Sequence, residues 1–201
     1  MNKRWRVPSG PGNNLARVKR MFIAIKVDPS GELLDLISFL KVLLRDDKIN
    51  WTVIPNFHLT LAFIGDIPDE TIIKTGIMLQ QVCSDSGQFS FMLSGADLFR
   101  SVHDPRIIRV GVRNPDRLNE LNKKIVSGLT GIGVKVDTKG FIPHVTFARI
   151  KSVRRPDMLK SAIDTYSDMD FQEVSVKEVI LFESVLKPPG PIYKPAGFFR
   201  V

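Results

Sequence analysis

An α+β fold, made of two copies of one strand-and-helix unit packed about a pseudo-twofold axis, is what the sequence predicts. Three observations carry this. The 201-residue chain matches itself without a gap when slid by 86 residues (144 − 58). Each half then reads in the same order: strand, helix, strand, helix, strand. Between residues 96 and 115 no Gly/Pro/Ser-rich linker separates the halves, apart from a short stretch around Asp104 and Pro105. The two units are therefore expected to share one cleft rather than to fold as independent lobes.

Taken in order, FIAIKVDP at 22–29 falls on IRVGVRNP at 108–115, bringing Asp28 over Asn114 and Pro29 over Pro115. Both are short apolar runs of the kind a buried strand shows. Leu33, Leu36, Ile37, Leu40 and Leu44 then recur at helical spacing, as do Leu118, Leu121, Ile125 and Leu129, although these two sets do not align cleanly at the common offset. NFHLTLAFIG at 56–65 and FIPHVTFARI at 141–150 follow as strands, with His58 on His144, Thr60 on Thr146 and Ala62 on Ala148. Pro68 and Asp69 open a helix through Ile72, Ile73, Ile77 and Val82; Pro156 and Asp157 open its counterpart through Leu159, Ala162, Ile163 and Tyr166. FSFMLSGADLF at 89–99 and FQEVSVKEVILF at 171–182 close the halves as strands.

A composition of 43% hydrophobic and 25% charged residues is that of a globular chain, which argues against disorder and against a membrane class. No apolar run approaches the roughly 18 residues of a membrane span, and Met21 to Ile25, cut short by Lys26 and Asp28, is too brief for a signal-peptide core. One cysteine, Cys83, excludes an internal disulfide and a thiolate-rich zinc site, and fits a reducing compartment, so the cytoplasm is expected.

The net charge of +8 is uneven. Residues 1–20 carry Lys3, Arg4, Arg6, Arg17, Lys19 and Arg20 and no acid, which leaves +2 for everything else. With Pro8, Gly10, Pro11, Gly12, Asn13 and Asn14 and no apolar period, residues 1–19 are expected to form a flexible basic tail able to hold RNA phosphates, ahead of a single bilobal domain over 20–201. A dispensable extension, or a start at Met21, is the alternative reading.

The chemistry lies in the two His-x-Thr strands. Side chains alternate along a strand, so His58 and Thr60 share one face while Leu59 and Leu61 enter the core; His144 and Thr146 relate in the same way to Val145 and Phe147. A lone histidine on a strand is usually a hydrogen-bonded packing residue. Two of only three histidines at equivalent repeat positions, each with the same threonine partner, are more than packing requires. Paired imidazoles suit phosphodiester cleavage, because one accepts a proton while the other donates one near neutral pH. Thr60 and Thr146 would then hydrogen-bond the non-bridging oxygens, and Arg149 would add a charged contact. Arg149 lies at an odd offset from His144, so its role requires a bulge or the strand's end; otherwise it is a surface charge.

Metal ligation is the competing use of two histidines, but the acid nearest His58 is Asp66, and neither motif carries a carboxylate or thiolate at ligand spacing. Neither a Gly-x-x-x-x-Gly-Lys loop nor a Gly-x-Gly-x-x-Gly turn occurs. His103, beside Asp104 and Pro105, reads as a loop residue.

HLTLAFIG and PHVTFAR, together with RMFIAIKV at 20–27, DPRIIRVGV at 104–112 and LFESVLKPPGPIYKPAGFF at 181–199, resemble the two-histidine phosphoesterases. Within that superfamily the likeness is to the LigT-like RNA 2′,3′-cyclic phosphodiesterases, formerly called 2′-5′ RNA ligases. The resemblance implies two lobes whose antiparallel sheets line a central cleft with helices outside. It also implies metal-independent, cofactor-free hydrolysis of a terminal RNA 2′,3′-cyclic phosphate to a 2′-phosphate by a cytoplasmic monomer, with tRNA fragments among the candidate substrates. By the same analogy His58 is the proton donor and His144 the acceptor, roles that the residues themselves leave interchangeable, and Thr60, Thr146 and Arg149 bind phosphate. Phe57, Phe141 and Tyr193 are candidates for a base-stacking aromatic, with core packing the expected task of Phe57. Rival readings are 2′-5′ ligation, cleavage of a small cyclic nucleotide or of ADP-ribose cyclic phosphate, and a non-catalytic RNA-end binder.

Overall fold

A computed structural model of the chain describes residues 18–99, 105–136, 140–188 and 190–201. His103 and the basic segment up to residue 17 lie outside the described residues. The first half runs β1 (Lys19–Lys26), α1 (Gly31–Leu43), β2 (Lys48–Trp51), a 3-10 turn (Ile54–Asn56), β3 (His58–Ile67), α2 (Asp69–Ser84) and β4 (Phe89–Phe99). The second runs β5 (Ile107–Arg113), α3 (Asp116–Gly131), β6 (Val145–Ser152), α4 (Pro156–Asp164) and β7 (Asp170–Val176), followed by β8 (Glu178–Lys187) and β9 (Gly190–Arg200). Lys19 and Arg20 already belong to β1 and are ion-paired with Asp69 at 2.6 Å and Asp66 at 3.3 Å, so they are part of the fold.

The strands form one sheet in the order β7-β4-β5-β6-β3-β1-β8-β9, with β2 also on β6, and the registered neighbours are antiparallel. The halves are interlaced. β4, from the first half, pairs with β5 of the second, while β8 pairs with β1 of the first. The expected single strand at 171–182 is in fact two, β7 and β8, divided at Lys177 and sent to different parts of the sheet. Their burial shows why. Phe171, Val174 and Val176 are the buried side chains of a one-faced strand, whereas Val179, Ile180, Leu181 and Phe182 are buried consecutively because β8 is covered on both faces. At the common offset β4 falls on β8, so those two, rather than β4 and β7, are the repeat equivalents.

Sheet register also corrects the match of 22–29 with 108–115. Ile23 faces Ala62 and Ala24 faces Thr60, while Ile108 faces Ala148 and Arg109 faces Thr146. The structural equivalents are thus Ile23 with Ile108 and Ala24 with Arg109, an offset of 85 (108 − 23). A one-residue slip exchanges the two faces of a strand, so residue likeness alone cannot set it. At 85 the helices that failed to align do so: Leu33, Leu36, Leu40 and Leu44 match Leu118, Leu121, Ile125 and Leu129, all buried.

Helices cover the outer face, α2 against α3, α1 against β7, α3 against β3 and α4 against β4. The main core gathers their leucines with Phe57, Leu59, Leu61, Val145 and Phe147. A second, smaller cluster of Phe22, Ala24, Ile180 and Phe182, flanked by Tyr193 and Phe198, occupies the opposite face of β1 and β8, and its Phe22 and Tyr193 reach the cleft. Among the described residues no helix is long and apolar enough to cross a membrane.

Candidate active site

β3 and β6 meet where Leu59 pairs with Val145. In an antiparallel register the next residues on either side are also opposed, which sets His58 across from Thr146 and Thr60 across from His144. Directly opposed side chains start about 5 Å apart, and diagonal ones about 7–8 Å apart at the backbone. His58 and His144 are such a diagonal pair, so their rings can flank a group the size of a phosphate. The sequence placed the four on two strands; pairing brings them into one square.

Both imidazoles are oriented alike. Nδ1 of His58 lies 2.7 Å from the carbonyl oxygen of Asn56, and Nδ1 of His144 lies 2.8 Å from that of Ile142. A carbonyl only accepts, so each Nδ1 carries the hydrogen and each Nε2 is left for chemistry. Burial lowers the pKa of His58 below the usual histidine value; the carbonyl of Asn56 opposes this, and Lys26, Arg149 and His144 lower it further. Burial also lowers that of His144, opposed by the Ile142 carbonyl, with Arg109 and Arg149 adding to the depression and Asp97 working against it. Lys26 fixes the turn before His58, its Nζ donating to the carbonyls of Val27 at 3.1 Å and Ile54 at 3.2 Å and pairing with Asp28 at 2.9 Å.

The distortion required of Arg149 is present. Between Ile108 and Arg109, β6 advances two residues, from Ala148 to Thr146, while β5 advances one, so Phe147 is bulged. Phe147 and Ala148 are both buried, and Arg149 returns to the face of His144 and Thr146. β3 repeats the device at Leu61, between Thr60 and Ala62, which turns Phe63 outward with 67% of its surface exposed. The doublets Leu61-Ala62 and Phe147-Ala148 are the signal of these bulges, since each breaks strict alternation. Arg149 and Phe63 are therefore equivalent positions with opposite chemistry.

These side chains line a cleft of about 980 Å³, together with Trp51, Asn50, Phe99, Ile107, Arg109 and Tyr193. Tyr193 meets the His58 ring edge-on at 5.1 Å between centroids, and Phe22 lies 5.1 Å from the same ring. Of the three aromatic candidates only Tyr193 lines the cleft; Phe57 is buried and Phe141 packs against the main core. Arg109 and Phe63 escaped the sequence reading because a single charge or ring on a strand looks like ordinary surface. Asn56, whose Nδ2 donates to the Pro191 carbonyl at 2.9 Å, ties the β8–β9 hairpin to the turn that orients His58. Among the described residues no three His, Cys, Asp or Glu side chains converge as a metal site would need.

Two interlaced halves whose His-x-Thr strands are paired side by side and line one cleft define the two-histidine phosphoesterase class. The family model for LigT-like phosphoesterases matches twice, at residues 23–109 and 110–193. A Thermotoga maritima protein named RNA 2′,3′-cyclic phosphodiesterase is 33% identical over 182 residues, covering 87% of this chain and 91% of that protein. One of the same name from Methanothermobacter thermautotrophicus is 27% identical over 184 residues, covering 90% and 98%. The fold matches a crystal structure of a Thermus thermophilus protein with a TM-score of 0.72 at 22% identity, covering 90% of this chain and 97% of that one. It also matches E. coli LigT complexed with 3′-AMP, with a TM-score of 0.69 at 21% identity, covering 92% and 99%. The chain belongs to the LigT-like phosphoesterase family.

Proposed function

We propose that the chain hydrolyses the 2′,3′-cyclic phosphate at an RNA end to a 2′-phosphate, using His58 as acid and His144 as base. The observation that carries this is the square of His58, Thr146, Thr60 and His144 built on the Leu59 and Val145 pair. Water, relieved of a proton by Nε2 of His144, attacks phosphorus; the bond to the 3′ oxygen breaks, and Nε2 of His58 gives its proton to that oxygen. The hydroxyls of Thr60 and Thr146 and the guanidinium of Arg149 hold the non-bridging oxygens as charge moves onto them. Arg109 and Arg149 beside His144 favour the neutral base there. Burial disfavours the charged His58 in the free protein, and an anionic substrate beside it raises its proton affinity, so the acid is charged as the substrate binds.

The proposed reaction uses no metal or cofactor, since the two imidazoles carry both proton transfers. The proposal extends to RNA fragments, those of tRNA among them, as substrate, to a cytoplasmic monomer, and to the basic N-terminal segment as an electrostatic aid to RNA binding. The names of the relatives support the RNA substrate. The test is incubation with an oligonucleotide ending in a 2′,3′-cyclic phosphate in the presence of a chelator. A 2′-phosphate product is expected; no opening, or opening that the chelator abolishes, contradicts the reading.

A further inference from the structure

We propose that the cleft wall made by β4, β5 and β6 is a second anion subsite, in which Arg109 holds the phosphodiester joining the terminal nucleotide to the rest of the strand. This rests on the reading of the cleft as a site for RNA cyclic-phosphate ends and names the next group of the substrate. The sheet register arranges the wall in rows. Asp97, Arg109 and Thr146 are successive neighbours across β4, β5 and β6, and the next row is Phe99, Ile107, Arg149 and, on β2, Asn50. Neighbouring strands lie about 4.8 Å apart, so Arg109 stands one strand away from the threonine of the His-x-Thr motif.

Arg109 is held in place before any ligand arrives. Its Nε and Nη2 donate to one oxygen of Asp97, at 3.2 and 2.7 Å, and its guanidinium lies 5.0 Å from the centre of the Phe99 ring. Its side chain is only 14% exposed, yet it lines the cleft. Two of its five N–H groups are committed to Asp97, and among the described residues the others have no protein acceptor. A planar fork fixed in this way suits a phosphate and sacrifices little side-chain freedom on binding.

One terminal phosphate does not need it. The two histidines, two threonines and Arg149 already serve the two non-bridging oxygens and both proton transfers. Nor does the fold need it, because the equivalent position on β1 is Ala24, fully buried in the smaller apolar cluster. With Arg109 and Arg149 set against Asp97, the β4–β5–β6 wall keeps a surplus positive charge, while the β1 and β9 side of the cleft offers Phe22 and Tyr193. A cleft of about 980 Å³ also stands at the top of the roughly 300–1,000 Å³ of ordinary small-ligand sites.

The experiment compares kcat/KM for two dinucleotides ending in a 2′,3′-cyclic phosphate, one with a natural linkage and one with an uncharged methylphosphonate linkage, beside a cyclic mononucleotide. The wild-type protein is expected to favour the natural linkage by about 10- to 100-fold, the range of a hydrogen bond to a charged group. In Arg109→Gln the ratio falls toward one, and Arg109→Lys restores part of it. Equal rates on the two dinucleotides in the wild type, a comparison that needs no variant to fold, would overturn the subsite. So would a ratio that survives in Arg109→Gln. Failure to open all three substrates would instead overturn the catalytic reading on which the subsite rests.

Discussion

Leu59 and Val145 are paired across β3 and β6, and this contact between two buried side chains places the polar residues on either side of each opposite their counterparts. The square is therefore fixed by core packing on the other face of the same strands. A Leu59→Ala change removes buried methyl groups at the contact itself and is expected to cost about 2–5 kcal/mol, measured by urea unfolding. Activity per folded molecule falls with it. A stable variant with undiminished kcat would separate the square from its packing.

Aromatic neighbours of the first motif differ in the same assay. Phe57 is buried in the main core, so Phe57→Ala is expected to lose about 3–5 kcal/mol of stability. Phe63, on the open side of its bulge, has little to lose, and Phe63→Ala is expected to stay within about 0.5 kcal/mol of wild type. Equal losses would mean that the bulge at Leu61 is absent in solution.

Arg149 acts through its fork geometry. Arg149→Gln is expected to lower kcat/KM on the cyclic phosphate by about 10- to 100-fold, the worth of a charged hydrogen bond. Arg149→Lys recovers only part, because an ammonium cannot span two oxygens. Full recovery by lysine would reduce the role of Arg149 to charge alone.

Acid should weaken the fold through the histidines. Both have folded-state pKa values below their unfolded ones, so the unfolded chain takes up protons first as pH falls. Stability is expected to be at its full value above the unfolded histidine pKa, near 6.5, and to decline as pH falls from there toward the lower folded values. Denaturant unfolding between pH 7 and pH 5 reads this, and replacing both histidines with glutamine should flatten the slope. Lys26→Met should raise the NMR titration midpoint of His58 by removing a nearby charge; an unmoved midpoint counts against that electrostatic coupling.

How much of this was legible follows from what each feature depends on. The His-x-Thr strands were readable because period-two alternation is local, and the helices because their leucines recur along one face. The crossing of β4 and β8 into opposite halves was not, since pairing joins residues far apart in sequence and leaves no mark within either strand. The split at Lys177 was blurred by an apolar run that two-sided burial of β8 makes continuous. The 85-residue offset of β1 and α1 hid behind the matching prolines Pro29 and Pro115, which outweighed the burial pattern. Arg109 was invisible as a cleft residue until its neighbours Asp97 and Thr146 were known.

The most direct test is single-turnover cleavage of a cyclic-phosphate-terminated oligonucleotide by His58→Ala and His144→Ala, with RNA binding measured on the same samples. Each substitution is predicted to slow the chemical step by about 100- to 10,000-fold, the range of a lost general acid or base, while binding stays within a few-fold of wild type. Wild-type turnover in either variant would contradict the account.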